Sequence, residues 1–153
     1  MSCKLVKIIY RKEPKITKYD KKNGMSVVQP DGHLKLSKRR FINDKLNGKA
    51  ISYYEDGYIQ RIFYNTNGKI NGDFIMYYDN GNMECKGYYI DDKLNGEEIW
   101  YYLNGCMGKK YYTIDNMING FRFYYDKDNK LIRKTYSING VCLWEEHKTE
   151  HKT

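Results

Sequence analysis

The chain has 153 residues and a net charge of +8, with one alanine, Ala50, against 17 tyrosines and 14 asparagines. A sequence so poor in uncharged helix formers does not build a helical bundle. No apolar run approaches the ~20 residues of a membrane span, which excludes a transmembrane helix.

From Met1 to Tyr10, lysines interrupt the apolar residues. The stretch lacks the apolar segment of a secretory signal, so a cytoplasmic protein is expected. The net charge is +9 over residues 1–48, −3 over 49–120 and +2 over 121–153. A basic end of this kind can steer an acidic partner. The four cysteines, Cys3, Cys85, Cys106 and Cys142, are far apart and form no C-x-x-C pair. They read as reduced thiols acting as small apolar residues.

A repeat runs through the rest of the chain. Asn-Gly recurs every 24 residues at Asn23-Gly24, Asn47-Gly48, Asn71-Gly72, Asn95-Gly96 and Asn119-Gly120, and once more after 20 at Asn139-Gly140. A second turn dipeptide lies nine residues further on, at Asp56-Gly57, Asn80-Gly81 and Asn104-Gly105. Such dipeptides accept positive φ and are expected to form type I′ hairpin turns. Residues 1–24 read as a partial repeat, 25–140 as five repeats with four residues deleted from the last, and 141–153 as a capping strand and polar tail.

Between the turns, side chains alternate along each strand. Ile51, Ile75 and Ile99 share a face with Tyr53, Tyr77 and Tyr101, while Met76, Trp100 and Tyr124 point to the other. Return strands carry the column Tyr64, Tyr88, Tyr112 and Tyr136. The expected fold is all-β, one elongated single-layer antiparallel meander of stacked hairpins. A lone hairpin is marginal in water, so stability comes from neighbours.

The glycine spacing Gly48 to Gly57, Gly72 to Gly81 and Gly96 to Gly105 encloses the pairs Tyr53-Tyr54, Tyr77-Tyr78 and Tyr101-Tyr102. In this the chain resembles MORN repeats, in the variant form of bacterial and large-virus proteins, some of which carry an antitoxin label. It departs from the usual unit where Ala50, Phe74, Glu98 and Arg122 replace a second glycine. The resemblance implies an elongated sheet used for protein–protein contact, self-association or membrane-associated scaffolding, and no reaction.

The strip Tyr54, Met76, Tyr78, Trp100, Tyr102 and Tyr124 is the candidate protein-binding surface, since Tyr, Trp and Met are enriched at interface centres. Lys35, Lys38, Arg39 and Arg40 form a candidate basic patch for an anionic membrane surface. Nucleic acid is not expected, because the tyrosine-rich middle is acidic. His147 and His151, four apart, read as parts of a solvated tail. No nucleophile elbow, phosphate loop or zinc-protease motif occurs, and neither catalytic residues, a cofactor, a metal nor a small-molecule substrate is expected. The resulting expectation is a non-enzymatic scaffold or interaction module, with an anionic-surface binder and an antitoxin-like regulator as alternatives. High Lys, Asn, Ile and Tyr content fits an AT-rich genome, bacterial or viral; a place in a virus particle or large assembly is a separate expectation.

Overall fold

A computed structural model describes residues 25–26, 37–54 and 56–148. The partial repeat over 1–24, Lys35 and the tail beyond 148 lie outside the described residues. The described chain forms one open antiparallel sheet of 14 strands. In order these are β1 (Met25–Ser26), β2 (Ser37–Ile42), β3 (Lys45–Leu46), β4 (Gly48–Tyr53), β5 (Ile59–Thr66), β6 (Lys69–Tyr77) and β7 (Met83–Ile90). They continue with β8 (Lys93–Leu94), β9 (Gly96–Tyr101), β10 (Met107–Ile114), β11 (Met117–Ile118), β12 (Gly120–Tyr125), β13 (Leu131–Ile138) and β14 (Val141–His147). Neighbours in sequence are neighbours in the sheet, with the short β3, β8 and β11 pairing β2, β7 and β10. The expected meander is what the chain forms.

The turns differ from the expectation in two ways. Paired positive φ values occur at Asn43-Asp44 (49° and 57°), Asn67-Gly68 (52° and 88°), Asp91-Asp92 (48° and 66°), Asp115-Asn116 (51° and 68°) and Asn139-Gly140 (48° and 80°). These are the type I′ turns; the first four lie four residues before Asn47-Gly48, Asn71-Gly72, Asn95-Gly96 and Asn119-Gly120, whereas Asn139-Gly140 forms the turn expected of it. Asp and Asn tolerate the left-handed region, so Asp-Asp and Asp-Asn serve there without glycine. The type I′ turns keep a 24-residue period through Asn139-Gly140. The apparent 20-residue step is therefore a change of dipeptide, and no residues are missing from the last repeat.

The repeated Asn-Gly sits inside the returning strand as a bulge. Between the pairs Phe63↔Phe74 and Asn65↔Ile70, Tyr64 alone faces Asn71, Gly72 and Asp73. Gly72, at φ 121°, turns the chain at that point. A Cβ built on Gly72 would lie 3.1 Å from Cβ of Tyr64. In the last repeat Leu143-Trp144 stands in this place. Leu and Trp do not supply a left-handed residue cheaply, and the bulge shrinks to one residue, Ser137↔Cys142 being followed by Tyr136↔Trp144.

The second turns are not type I′ either. Gly57, Gly81, Gly105 and Asn129 alone have positive φ there, between 64° and 90°. Tyr78 N–H donates to Asn82 O at 2.9 Å and Gly81 N–H to Tyr78 O at 3.0 Å. This is a type I turn closed by one left-handed residue.

Asparagine joins successive repeats. The Oδ1 atoms of Asn47, Asn95 and Asn119 accept from the backbone N–H of Asn67, Asp115 and Asn139 at 3.0–3.2 Å. At the other margin Asn82 and Asn104 donate to Leu103 O and Lys127 O at 2.8 and 3.1 Å. The core cluster is Ile51, Tyr53, Ile62 and Tyr77, with Ile59, Ile75 and Met83 against it. Cys106 is disulfide-bonded, which corrects the expectation of four reduced thiols. A disulfide needs Cα atoms within about 7 Å, a condition that the fold decides and sequence spacing does not. Cys85 is a buried free thiol and Cys142 an exposed one.

Candidate interaction faces

The strands present two faces, named here by Trp100 and by Tyr88. On the Trp100 face, register pairs Met76 with Cys85, Cys85 with Trp100, Trp100 with Lys109, Lys109 with Tyr124 and Tyr124 with Arg133. Three members of the expected strip thus fall in one row, interleaved with residues that sequence reasoning did not choose. Lys109 Nζ lies 4.5 Å from the Trp100 ring centroid, and the Arg133 guanidinium 3.8 Å from that of Tyr124. The aromatic faces of this row are thereby covered by the chain's own cations.

Beside this row Glu98 is 3% exposed. Its Oε1 accepts from Trp100 Nε1 at 2.5 Å and from Cys85 Sγ at 3.8 Å. Its Oε2 has no hydrogen-bond partner, and neither has the buried Nε of Arg122. Arg122 stacks 4.8 Å from the Tyr111 ring centroid. Burial, then the Glu98 charge, pushes the Tyr111 hydroxyl well above the usual phenol range. Burial and Glu98 do the same to the Cys85 thiol, which stays protonated and a poor nucleophile.

The other three strip residues act as clamps. The hydroxyls of Tyr54, Tyr78 and Tyr102 donate to the carbonyls of Tyr77, Tyr101 and Tyr125 at 2.6–2.7 Å. Each ring is half-buried and reaches into the following repeat. Where the next tyrosine of the series would stand, Asp126 Oδ1 accepts from Asp128 N–H and Lys130 N–H at 3.0 and 2.8 Å. All six strip residues are half-buried.

The Tyr88 face carries the exposed row. Register pairs Lys49 with Tyr64, Asp73 with Tyr88, Glu97 with Tyr112, Phe121 with Tyr136 and Tyr136 with Trp144. Tyr64, Tyr88 and Tyr112 are 41%, 42% and 51% exposed. With strands ~4.8 Å apart, they stand about 10 Å from one another. The sequence carries a partial signal, for Tyr88 and Tyr112 but not for Tyr64, which follows the buried Ile62. Lys86, Lys110 and Lys134 precede Tyr88, Tyr112 and Tyr136 by two residues, and residues two apart on a strand share a face.

Of the basic patch, Lys38, Arg39 and Arg40 lie on β2, with Arg39 half-buried. His147 lies on β14, its Nε2 2.7 Å from Oε1 of Glu145; His151 is outside the described residues. Among the described residues no group of three or more His, Cys, Asp or Glu is placed to hold a metal ion. Likewise, no described helix is long and apolar enough to cross a membrane.

No protein-family model and no curated protein matches the chain. Among solved structures it is similar to a chain in the crystal structure of accessory secretory protein 1, 2 and 3 in Streptococcus pneumoniae. That match has 12% identity and a TM-score of 0.21, and covers 78% of this chain but only 18% of the other. A TM-score so low carries no argument about fold or function.

Proposed function

We propose that the chain is a non-enzymatic repeat module of the MORN-variant type that holds a protein partner on its Tyr88 face. The observation that carries this reading is the row of half-exposed tyrosines Tyr64, Tyr88 and Tyr112. Their hydroxyls make no clamp of the kind that Tyr54, Tyr78 and Tyr102 make. Tyrosine offers a large, rigid, amphipathic contact at low entropy cost, which suits the centre of an interface. The alternating Asp73 and Glu97 give the row polarity and a place for hydrogen bonds from a partner. On this reading the binding row lies on the face opposite Trp100.

The test is crosslinking with mass spectrometry on the protein in its natural source, comparing the natural chain with Tyr64→Ala/Tyr88→Ala/Tyr112→Ala. The variant is expected to lose the partner crosslinks while its circular dichroism stays β-rich. Crosslinks that survive the triple substitution would sink this reading.

A further inference from the structure

The Tyr88 face carries a second row beside the tyrosines. Residues two apart on a strand share a face, so Ile90 stands beside Tyr88 and Ile114 beside Tyr112. Both isoleucines are in the open, 49% and 48% exposed. Thr66 holds the same place beside Tyr64. The two rows run across the strands ~7 Å apart, the rise of two strand residues. Along each row the repeat distance is two strand spacings, ~9.6 Å. From Tyr64 to Tyr112 the track crosses β5, β6, β7, β9 and β10, a span of about 19 Å.

We infer that this track takes a proline-rich segment of the partner in the polyproline II conformation, laid across the strands with a proline at every third position. This rests on the reading of the Tyr88 face as an interaction surface, and it names the chemistry of what docks there. The repeat distances carry the inference. Polyproline II has three residues per turn and a turn rises ~9.3 Å. Over the two steps from Tyr64 to Tyr112 it falls out of step by only about 0.6 Å. Two turns of α-helix rise ~10.8 Å and drift by about 2.4 Å over the same steps. An extended strand turns every third side chain to its opposite face and cannot follow the row. Neighbouring strands rotate by ~20–25°, so the match holds only for a short segment, about two turns of the ligand.

The chemistry agrees with the spacing. A polyproline II chain makes no internal hydrogen bonds, so its carbonyls are open acceptors, and each proline removes an N–H that would need one. The hydroxyls of Tyr64, Tyr88 and Tyr112, which make no clamp within the sheet, supply donors. Aromatic side chains are what such segments dock against. Charge adds one requirement. Lys69 and Lys93, interleaved with Thr66 and Ile90, are held by Asp91 and Asp115 at 3.9 and 3.6 Å. Glu97 is held by Lys110 at 3.1 Å. Asp73, between Tyr64 and Tyr88, is exposed and makes no ion pair among the described residues. It calls for one basic residue in the ligand.

The experiment is fluorescence anisotropy of labelled peptides titrated with the full chain. The first peptide has proline at every third position and one arginine between two of them. The second has the same composition with its prolines bunched, and the third is an alanine-rich helix with leucine at every seventh position. The first is expected to saturate at tens of micromolar, and the other two to bind at least about tenfold more weakly. Tyr88→Ala/Tyr112→Ala is expected to weaken the first peptide by about tenfold or more, with β-rich circular dichroism retained. Asp73→Lys, at an exposed site, is expected to weaken it too, and to leave unchanged a form with glutamine in place of the arginine. A first peptide that does not saturate, or that binds no better than the second, overturns the inference, as does binding unmoved by both variants. If the first peptide fails while the triple tyrosine variant still loses its crosslinks in the natural source, this inference falls alone and the interaction module stands.

Discussion

At the scale of single residues, tyrosine does two different jobs in this chain. In the series Tyr54, Tyr78, Tyr102 the phenol reaches across to a carbonyl one repeat ahead. In the series Tyr64, Tyr88, Tyr112 it stands on an open face. The clamp predicts that Tyr102→Phe, which keeps the ring and removes only the hydroxyl, destabilises by about 0.5–1.5 kcal/mol. Tyr112→Phe is expected to cost less than half as much. Urea midpoints of the two variants check this, and equal shifts would refute the distinction. Asparagine likewise serves beyond its turn, since Oδ1 of Asn47, Asn95 and Asn119 bonds the turn of the following repeat. A single sequence shows that Asn and Tyr recur. It does not show what their side chains reach, because the partners lie 20 to 23 residues away.

At the scale of elements, the informative unit is the glycine bulge. Gly120 has φ 88° and open space around its missing Cβ, whereas Gly72 has φ 121° and Cβ of Tyr64 at 3.1 Å. Gly120→Ala therefore carries only the backbone penalty of a left-handed residue, about 1–2 kcal/mol. Gly72→Ala adds the crowding of Tyr64 and is expected to shift the urea midpoint further. The reverse order would show that these glycines do not make equivalent bulges. The strands themselves were legible from apolar alternation between turn dipeptides. The turn positions were not, because Asn-Gly suits both a hairpin turn and a bulge. Deciding between them takes the pairing of strands such as Phe63 on Phe74 and Asn65 on Ile70.

At the scale of the whole molecule, one sheet carries two unlike faces. Burial raises the hydroxyl pKa of Tyr54, Tyr78, Tyr89 and Tyr111 above the ordinary value of 10.0. For a phenol the raised value means that the folded state holds its proton where the unfolded state has released it. The stabilisation is thus complete below pH ~10 and is lost as pH rises through the folded values. Alkaline titration is expected to show β-sheet circular dichroism falling above pH ~10, with the last tyrosinate absorbance appearing only as the sheet melts. Complete ionisation of all 17 tyrosines before any loss of ellipticity would contradict this.

The sequence alone determined that the chain is all-β, that it repeats every 24 residues and that its hairpins stack in order. Those features are local, since side-chain alternation and left-handed turn residues act within a few positions. The tertiary structure alone decided that cations cover the rings of the Trp100 row, where the type I′ turns fall and how the bulge shrinks in the last repeat. The candidate strip around Trp100 shows the reason. Its residues alternate as an exposed face would, yet Lys109 and Arg133 fold over its rings. Exposure depends on what each side chain meets on neighbouring strands, and that is set by register.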